Sequence, residues 1–241
     1  MNRKPTVKGS QEHAMASYPI EVSDDQSRLL NEYGRMVYDV NRQFNLISRG
    51  DINEVYSHHI AHCLVLADRK VPSGTRVVDW GTGGGLPAIP LAIMWPHIAI
   101  VGVDSNEKKT RAVDLFCRRL GIRNCTSWHG RAEDMEGQFQ VSVSRATAPL
   151  RDLWSWHERI YAPIAEQNDQ ENRATDTGDG KNDSSGDWGD GLVCLKGGDL
   201  TAEIADLHAA FPDLAVNKLP LALLKHDPFF DTKCIITVQK R

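Results

Sequence analysis

The feature that most constrains this 241-residue chain is a glycine-rich turn set between a β-rich run and a helical pattern: Asp79-Trp80-Gly81-Thr82-Gly83-Gly84-Gly85-Leu86-Pro87. Arg76 to Asp79 reads as a strand, and a helical pattern follows from Ala88. Glycine lets a backbone turn tightly and approach a bound molecule, while Pro87 suits a first helical turn, where its missing N–H has no partner. Strand, glycine turn and helix in that order imply a nucleotide-like ligand. The dinucleotide fingerprint G-x-G-x-x-G needs its third glycine at position 86, which is Leu86. The pattern is instead acid-x-Gly-x-Gly-x-Gly.

What flanks the turn sets the fold class. RVVDWG, IAIVGVD, CTSWHG, QVSVSRA, GLVCLKG and TKCIITVQK are short β-rich runs, and the earlier ones alternate with helical patterns. Such alternation predicts an α/β chain with a mostly parallel sheet covered by helices on both faces, its ligand beyond the carboxyl ends of the strands. Upstream, Ser23 and Gln26 form a capping-box signature ahead of Leu29, Leu30, Tyr33, Met36, Val37 and Val40, predicting a helix over about 24–43. Asp51 and Glu54 repeat that pattern ahead of a second helix over about 52–68. The chain divides into a disordered tail over 1–22, a helical lead-in over 23–72 and an α/β domain over 73–241.

Charge is distributed unevenly. The net charge is −4, yet residues 166–190 hold eight acids and two bases, and without them the remainder carries +2. That stretch has almost no aliphatic side chains to offset its ordering entropy, so 165–190 is expected to be a disordered acidic insertion. Between positions 108 and 123 the balance reverses, with Lys108, Lys109, Arg111, Arg118, Arg119 and Arg123 against Asp114 alone. On a helix, Lys108, Arg111, Arg118 and Arg119 share one face while Val113, Phe116 and Leu120 turn elsewhere. The stripe is either a solvated face or a phosphate-contacting one. The longest apolar stretch, Leu86 to Trp95, is broken by Pro87 and Pro90 and is too short for a membrane span. Residues 1–20 lack the apolar region of a secretory signal, so a cytoplasmic protein is expected. Five cysteines without a C-x-x-C pair argue for reduced thiols rather than disulfides or a zinc ribbon.

The acidic glycine pattern resembles motif I of the S-adenosylmethionine-dependent methyltransferases, which have a Rossmann-like, mostly parallel seven-stranded sheet. Asp104, closing the second strand, stands at the spacing of a carboxylate that accepts both ribose hydroxyls. Glu133, in Gly130-Arg131-Ala132-Glu133 after the third strand, falls where such enzymes read the adenine edge. Absent motifs narrow the reaction. Amine methylation in this class uses a [DN]-P-P-[YF] loop after the fourth strand, where this chain has Ser144-Arg145-Ala146-Thr147. Asp227-Pro228-Phe229-Phe230 lies far from that context and reads as a turn before the last strand. Cytosine C5 chemistry needs a nucleophilic cysteine, commonly after proline, and no Pro-Cys occurs. Guanine N7 has an in-plane lone pair and no proton, so it needs no general base.

The chain resembles the bacterial 16S ribosomal RNA guanine-N7 methyltransferases, also called glucose-inhibited division protein B, from about Leu29 to its C-terminus. The marks are Phe44-Asn45-Leu46-Ile47-Ser48, His59-Ile60, Asp79 through Pro90, Asp104-Ser105 with Lys108-Lys109 and Arg111, Arg131-Ala132-Glu133, Ser144-Arg145-Ala146 and Leu195-Lys196-Gly197. The resemblance implies methylation of guanine 527 of 16S rRNA, with the small ribosomal subunit as partner, no DNA and a monomer. It implies that Asp79, Gly81, Gly83, Gly85, Leu86, Asp104, Ala132, Glu133 and Arg145 hold S-adenosylmethionine. Arg145 is the candidate catalytic residue, pairing with the ligand carboxylate or steering the target base. Lys108, Arg111, Arg118, Arg119 and Lys196 are the candidate RNA contacts, although Lys196 also suits the rim of the ligand cleft.

The chain departs from the family at His58-His59-Ile60-Ala61-His62-Cys63, where many members have Arg-His-Ile-x-Asp-Ser, so His62 replaces an acid. His58 and His62 share a helix face, but the zinc-protease pattern needs Glu where His59 stands, so packing or RNA contact is expected and no metal. A small-molecule methyltransferase needs no basic stripe, and a non-catalytic assembly factor would bind the nucleoside only as a ligand; a dehydrogenase is opposed by Leu86.

Overall fold

The computed structural model describes residues 18–48, 50–145, 147–163, 188–221 and 227–241. Its centre is a seven-stranded sheet in the order β3-β2-β1-β4-β5-β7-β6. The strands are β1 (Arg76–Trp80), β2 (Ala99–Asp104), β3 (Cys125–His129), β4 (Val141–Arg145), β5 (Gly191–Gly197), β6 (Leu214–Pro220) and β7 (Lys233–Lys240). β1 to β5 pair in parallel, and β7 inserts antiparallel between β5 and β6. The Rossmann-like α/β expectation therefore holds. Six of the strands coincide with the six β-rich runs. β6 left no such signature because it is an edge strand whose residues are mostly half-buried or exposed, ending in Pro220.

Alternate residues of each strand enter separate cores, since successive side chains leave opposite faces of a sheet. Val77 and Val193 join a core formed with α1 (Asp24–Asn41), α3 (Ala88–Met94) and α4 (Glu107–Leu120). Val78, Leu192 and Cys194 join the other, with α5 (Leu150–Ile160) and α6 (Thr201–Ala210). All five cysteines are buried free thiols. Among the described residues no helix is long and apolar enough to cross a membrane.

The lead-in is present, with one change of character. Ser23 and Gln26 close the expected capping box, and α1 buries Leu30, Tyr33 and Val37. It ends two residues short of the expected position, and the Asn41 side chain then accepts from the Leu46 and Ile47 amides at 2.6 and 2.9 Å, folding the chain back. The second helix is not uniform. It runs as a 3₁₀ turn (Ile52–Glu54), a π-helical stretch (Val55–Ile60), the short α2 (Ala61–Leu64) and a 3₁₀ turn (Val65–Asp68). Asp51 makes no capping bond because its carboxylate accepts from the Ser48 hydroxyl at 2.7 Å.

The proposed disordered segments lie mostly outside the described residues, and their inner ends need correcting. Tyr18, Ile20 and Val22 pack against the first core, so the tail cannot extend to residue 22. Trp188 is buried, its indole N–H donates to the Leu66 carbonyl at 2.6 Å, and the Arg69 guanidinium lies over its ring. The acidic insertion thus stops short of position 190.

Candidate functional site

The glycine turn is tied to the neighbouring strand ends by its own backbone. Gly81 leaves β1 with φ +68°, the Thr82 amide donates to the Val103 carbonyl at 2.9 Å, and the Gly83 amide donates to the Asp104 carboxylate at 3.0 Å. The other Asp104 oxygen accepts from the Asn106 amide at 2.9 Å. A carboxylate has about four lone-pair sites, so each oxygen keeps acceptor capacity for a further donor. Beyond β3, a 3₁₀ turn (Ala132–Asp134) carries Ala132 and Glu133. Arg159 of α5 holds that turn by donating to the Ala132 and Met135 carbonyls at 2.8 and 2.7 Å.

These pieces meet in one cleft of about 190 Å³, lined by Gly81, Asp104, Ala132 and Glu133 together with Thr147 and Trp156. A Cβ on Gly81 would stand 2.1 Å from Thr147 Cγ2, so the space beside that backbone exists only because the residue is glycine. Acceptors at two strand ends around a close backbone fit a nucleoside carrying hydroxyls and an amino-substituted base.

Not every candidate reaches the cleft. Gly83 takes part through its N–H to Asp104, whereas Asp79, Gly85 and Leu86 are buried and do not line the cleft. Asp79 is fully buried and accepts from the Ala88 amide, at the start of α3, at 3.1 Å. Burial pushes its carboxyl up to about 7. Gly85 has φ +95°, its missing Cβ direction filled by Ile89, and Leu86 is buried in the first core.

Arg145 ends β4 on the side of the lead-in. One of its terminal nitrogens, Nη1, donates to His59 Nδ1 at 2.7 Å. Burial, assisted by the Arg145 charge, lowers His59 to about 4 and His62 to about 3. The His58 ring stacks on Phe229 at 3.8 Å and approaches the Asp227 carboxylate at 3.4 Å, while His62 meets Phe230 edge-on. Asp227-Pro228-Phe229-Phe230 is thus the expected turn before β7, and it covers the histidines. Among the described residues no group of three metal-type ligands is assembled.

Of the candidate RNA contacts, Lys108, Arg111, Arg118 and Arg119 all lie exposed on α4, with Arg111 bonded to Glu107. Lys196 is placed differently. It is buried, and its ammonium is bonded to the Ala148 carbonyl and the Glu203 carboxylate, so its charge is spent inside the fold. Sequence reasoning missed Thr147 and Trp156, which line the cleft, and Arg159, which holds the Ala132 turn beside it. It also missed the Tyr33 hydroxyl that donates to the Gly84 carbonyl at 2.8 Å. All four make contacts that only the tertiary fold creates.

The sheet order, the glycine turn and the two strand-end acids together define a Rossmann-like protein of the S-adenosylmethionine-dependent methyltransferase class. A solved ribosomal protein L11 methylase from Lactobacillus delbrueckii shares this fold with a TM-score of 0.51 and 13% identity, over 75% of this chain and 77% of that one. Residues 26–166 match the family model described as rRNA small subunit methyltransferase G, and the chain belongs to that family. Similar relatives named ribosomal RNA small subunit methyltransferase G occur in Salinibacter ruber, 45% identical over 89% of this chain and 93% of that protein, and in Chlorobaculum tepidum, 34% identical over 90% and 91%.

Proposed function

We propose that this chain transfers the methyl group of S-adenosylmethionine to N7 of a guanine in 16S ribosomal RNA, the base at position 527. The observation that carries this reading is the convergence of Gly81, Asp104 and Glu133 on one cleft in a member of this family. When bound, the nucleoside supplies an electrophilic methyl on its sulfonium. Asp104 receives the ribose hydroxyls on its remaining lone pairs, and Ala132 and Glu133 receive the adenine edge. Gly81 gives the backbone its close approach, while Asp79, Gly83, Gly85 and Leu86 hold the turn in shape. Arg145 brings positive charge to the lead-in side of the turn.

No general base is required, because N7 attacks through a lone pair in the ring plane. The work of the chain is alignment and exclusion of water, which supply most of the rate in a reaction of this type. Lys108, Arg111, Arg118 and Arg119 on α4 give the RNA backbone a basic face beside the cleft. The same reading makes the protein a cytoplasmic monomer acting on the small ribosomal subunit or its RNA, and not on DNA.

The test combines the purified protein, labelled S-adenosylmethionine and small subunits lacking the modification, followed by chemical cleavage at N7-methylguanine. Label at one guanine supports the proposal. Transfer only to free metabolites would point to a small-molecule enzyme, and nucleoside binding without transfer would point to an assembly factor; either result overturns it.

A further inference from the structure

The bond between Arg145 and His59 crosses 86 positions in the sequence and joins the end of β4 to the π-helical stretch of the lead-in. Its chemistry is unusual for an arginine. A guanidinium has only donors, so Nδ1 of His59 must present a lone pair, and the imidazole proton must reside on Nε2. His59 is therefore neutral. Burial and the adjacent guanidinium hold it so, against the weaker opposing pull of Asp51. Asp51 itself is turned to the Ser48 hydroxyl. Among the described residues no carboxylate forms an ion pair with Arg145; the buried Asp79 feels its charge only at longer range and itself accepts from the Ala88 amide.

A carboxylate in this place would fix the arginine equally well but would cancel its charge. A neutral acceptor fixes the direction and leaves the full positive charge for an anionic or electron-rich group. We propose that His59 is a positioning residue for Arg145, one that orients the guanidinium through Nδ1 while leaving its charge uncompensated.

The arrangement around it supports a device built for that purpose. His59 is 7% exposed, and its Nε2 has no hydrogen-bond partner among the described residues. Three residues on, about one helical turn away, stands the buried His62. Burial disfavours its charged form, and the carboxylate at this end of the cluster, Asp227, is turned to His58 at 3.4 Å rather than to Arg145. The Phe229 and Phe230 rings pack on His58 and His62 and keep the segment in place.

The inference rests on Arg145 serving the proposed methyl transfer, and the experiment separates the two. Methyl transfer to unmodified small subunits is measured for Arg145→Ala, His59→Ala, His59→Asn and His59→Asp, with a melting curve and calorimetric cofactor binding for each. Asparagine places an uncharged acceptor near the Nδ1 position, and aspartate places a charged one there in the same volume. We expect His59→Ala to lose roughly 100-fold in kcat, the scale set by misplacing a reacting group by about 1 Å. His59→Asn restores most of that rate, and His59→Asp does not. The Asn and Asp pair decides the question even if His59→Ala fails to fold. Equal rates for Asn and Asp, or a wild-type rate for His59→Ala, overturn the positioning role. A wild-type rate for Arg145→Ala overturns instead the reading on which it rests.

Discussion

At the scale of single residues, the cleft depends on what is missing from Gly81. Its φ of +68° and the 2.1 Å that would separate a Cβ from Thr147 make alanine costly on two counts. A side chain held in the left-handed region costs about 1–3 kcal/mol, and about 1.4 kcal/mol corresponds to tenfold in an equilibrium constant. Gly81→Ala should therefore weaken S-adenosylmethionine binding by roughly 10-fold or more while the far-ultraviolet spectrum stays native. Unchanged affinity by calorimetry would show that the backbone here does not approach the ligand. Residues of this kind were legible in the sequence, because a glycine pattern after a strand has few other uses. Asp79, expected among the ligand contacts, is buried and accepts from the amide that opens α3. A carboxylate that holds such an amide and one that binds a ligand look alike in a string of letters.

At the scale of elements, α4 was read correctly down to its faces. Asn106 caps it by accepting from the Lys108 amide, and Gly121, with φ +70°, ends it. Val113, Phe116 and Leu120 are buried and the four basic residues exposed, as helical periodicity requires. Two things about the elements could not be read. The lead-in's second helix changes winding along its length, because Asp51 is diverted to Ser48 and its later residues are set by packing. Lys196, read as an RNA contact or as part of the ligand-cleft rim, has its partner Glu203 on another element. The exposed stripe does carry a prediction. Each phosphate contact contributes about 0.7–0.9 to the slope of log affinity against log salt. Arg118→Glu with Arg119→Glu should lower rRNA methylation and reduce that slope by roughly 2. If rate and salt dependence both match the wild type, the RNA lies against another surface.

At the scale of the whole molecule, both sides of the sheet hold buried histidines whose charged form burial disfavours. His59 and His62 belong to the lead-in side, and His157 sits in α5 on the other, bonded to the Ser142 hydroxyl at 2.9 Å. Burial lowers them to about 4, about 3 and about 4, from 6.5. Each binds a proton in the unfolded chain before it does so in the folded one. Their contribution to stability is therefore complete above about 6.5 and is lost as the pH falls toward 3 to 4. Asp79 works in the opposite direction. Its carboxyl is raised from 3.8 to about 7, so the folded protein retains a proton that the unfolded chain releases, and the cost of ionising it is relieved as the pH falls from 7 toward 4. Three groups against one make the net effect a loss of stability in acid. Denaturant midpoints should fall between pH 7 and pH 5 at constant slope, and the fall should be steeper in Asp79→Asn, which lacks the compensating proton. A midpoint that rises in acid would mean that the histidines are charged in the folded state. Parallel profiles for the variant and the wild type would mean that Asp79 is already ionised there.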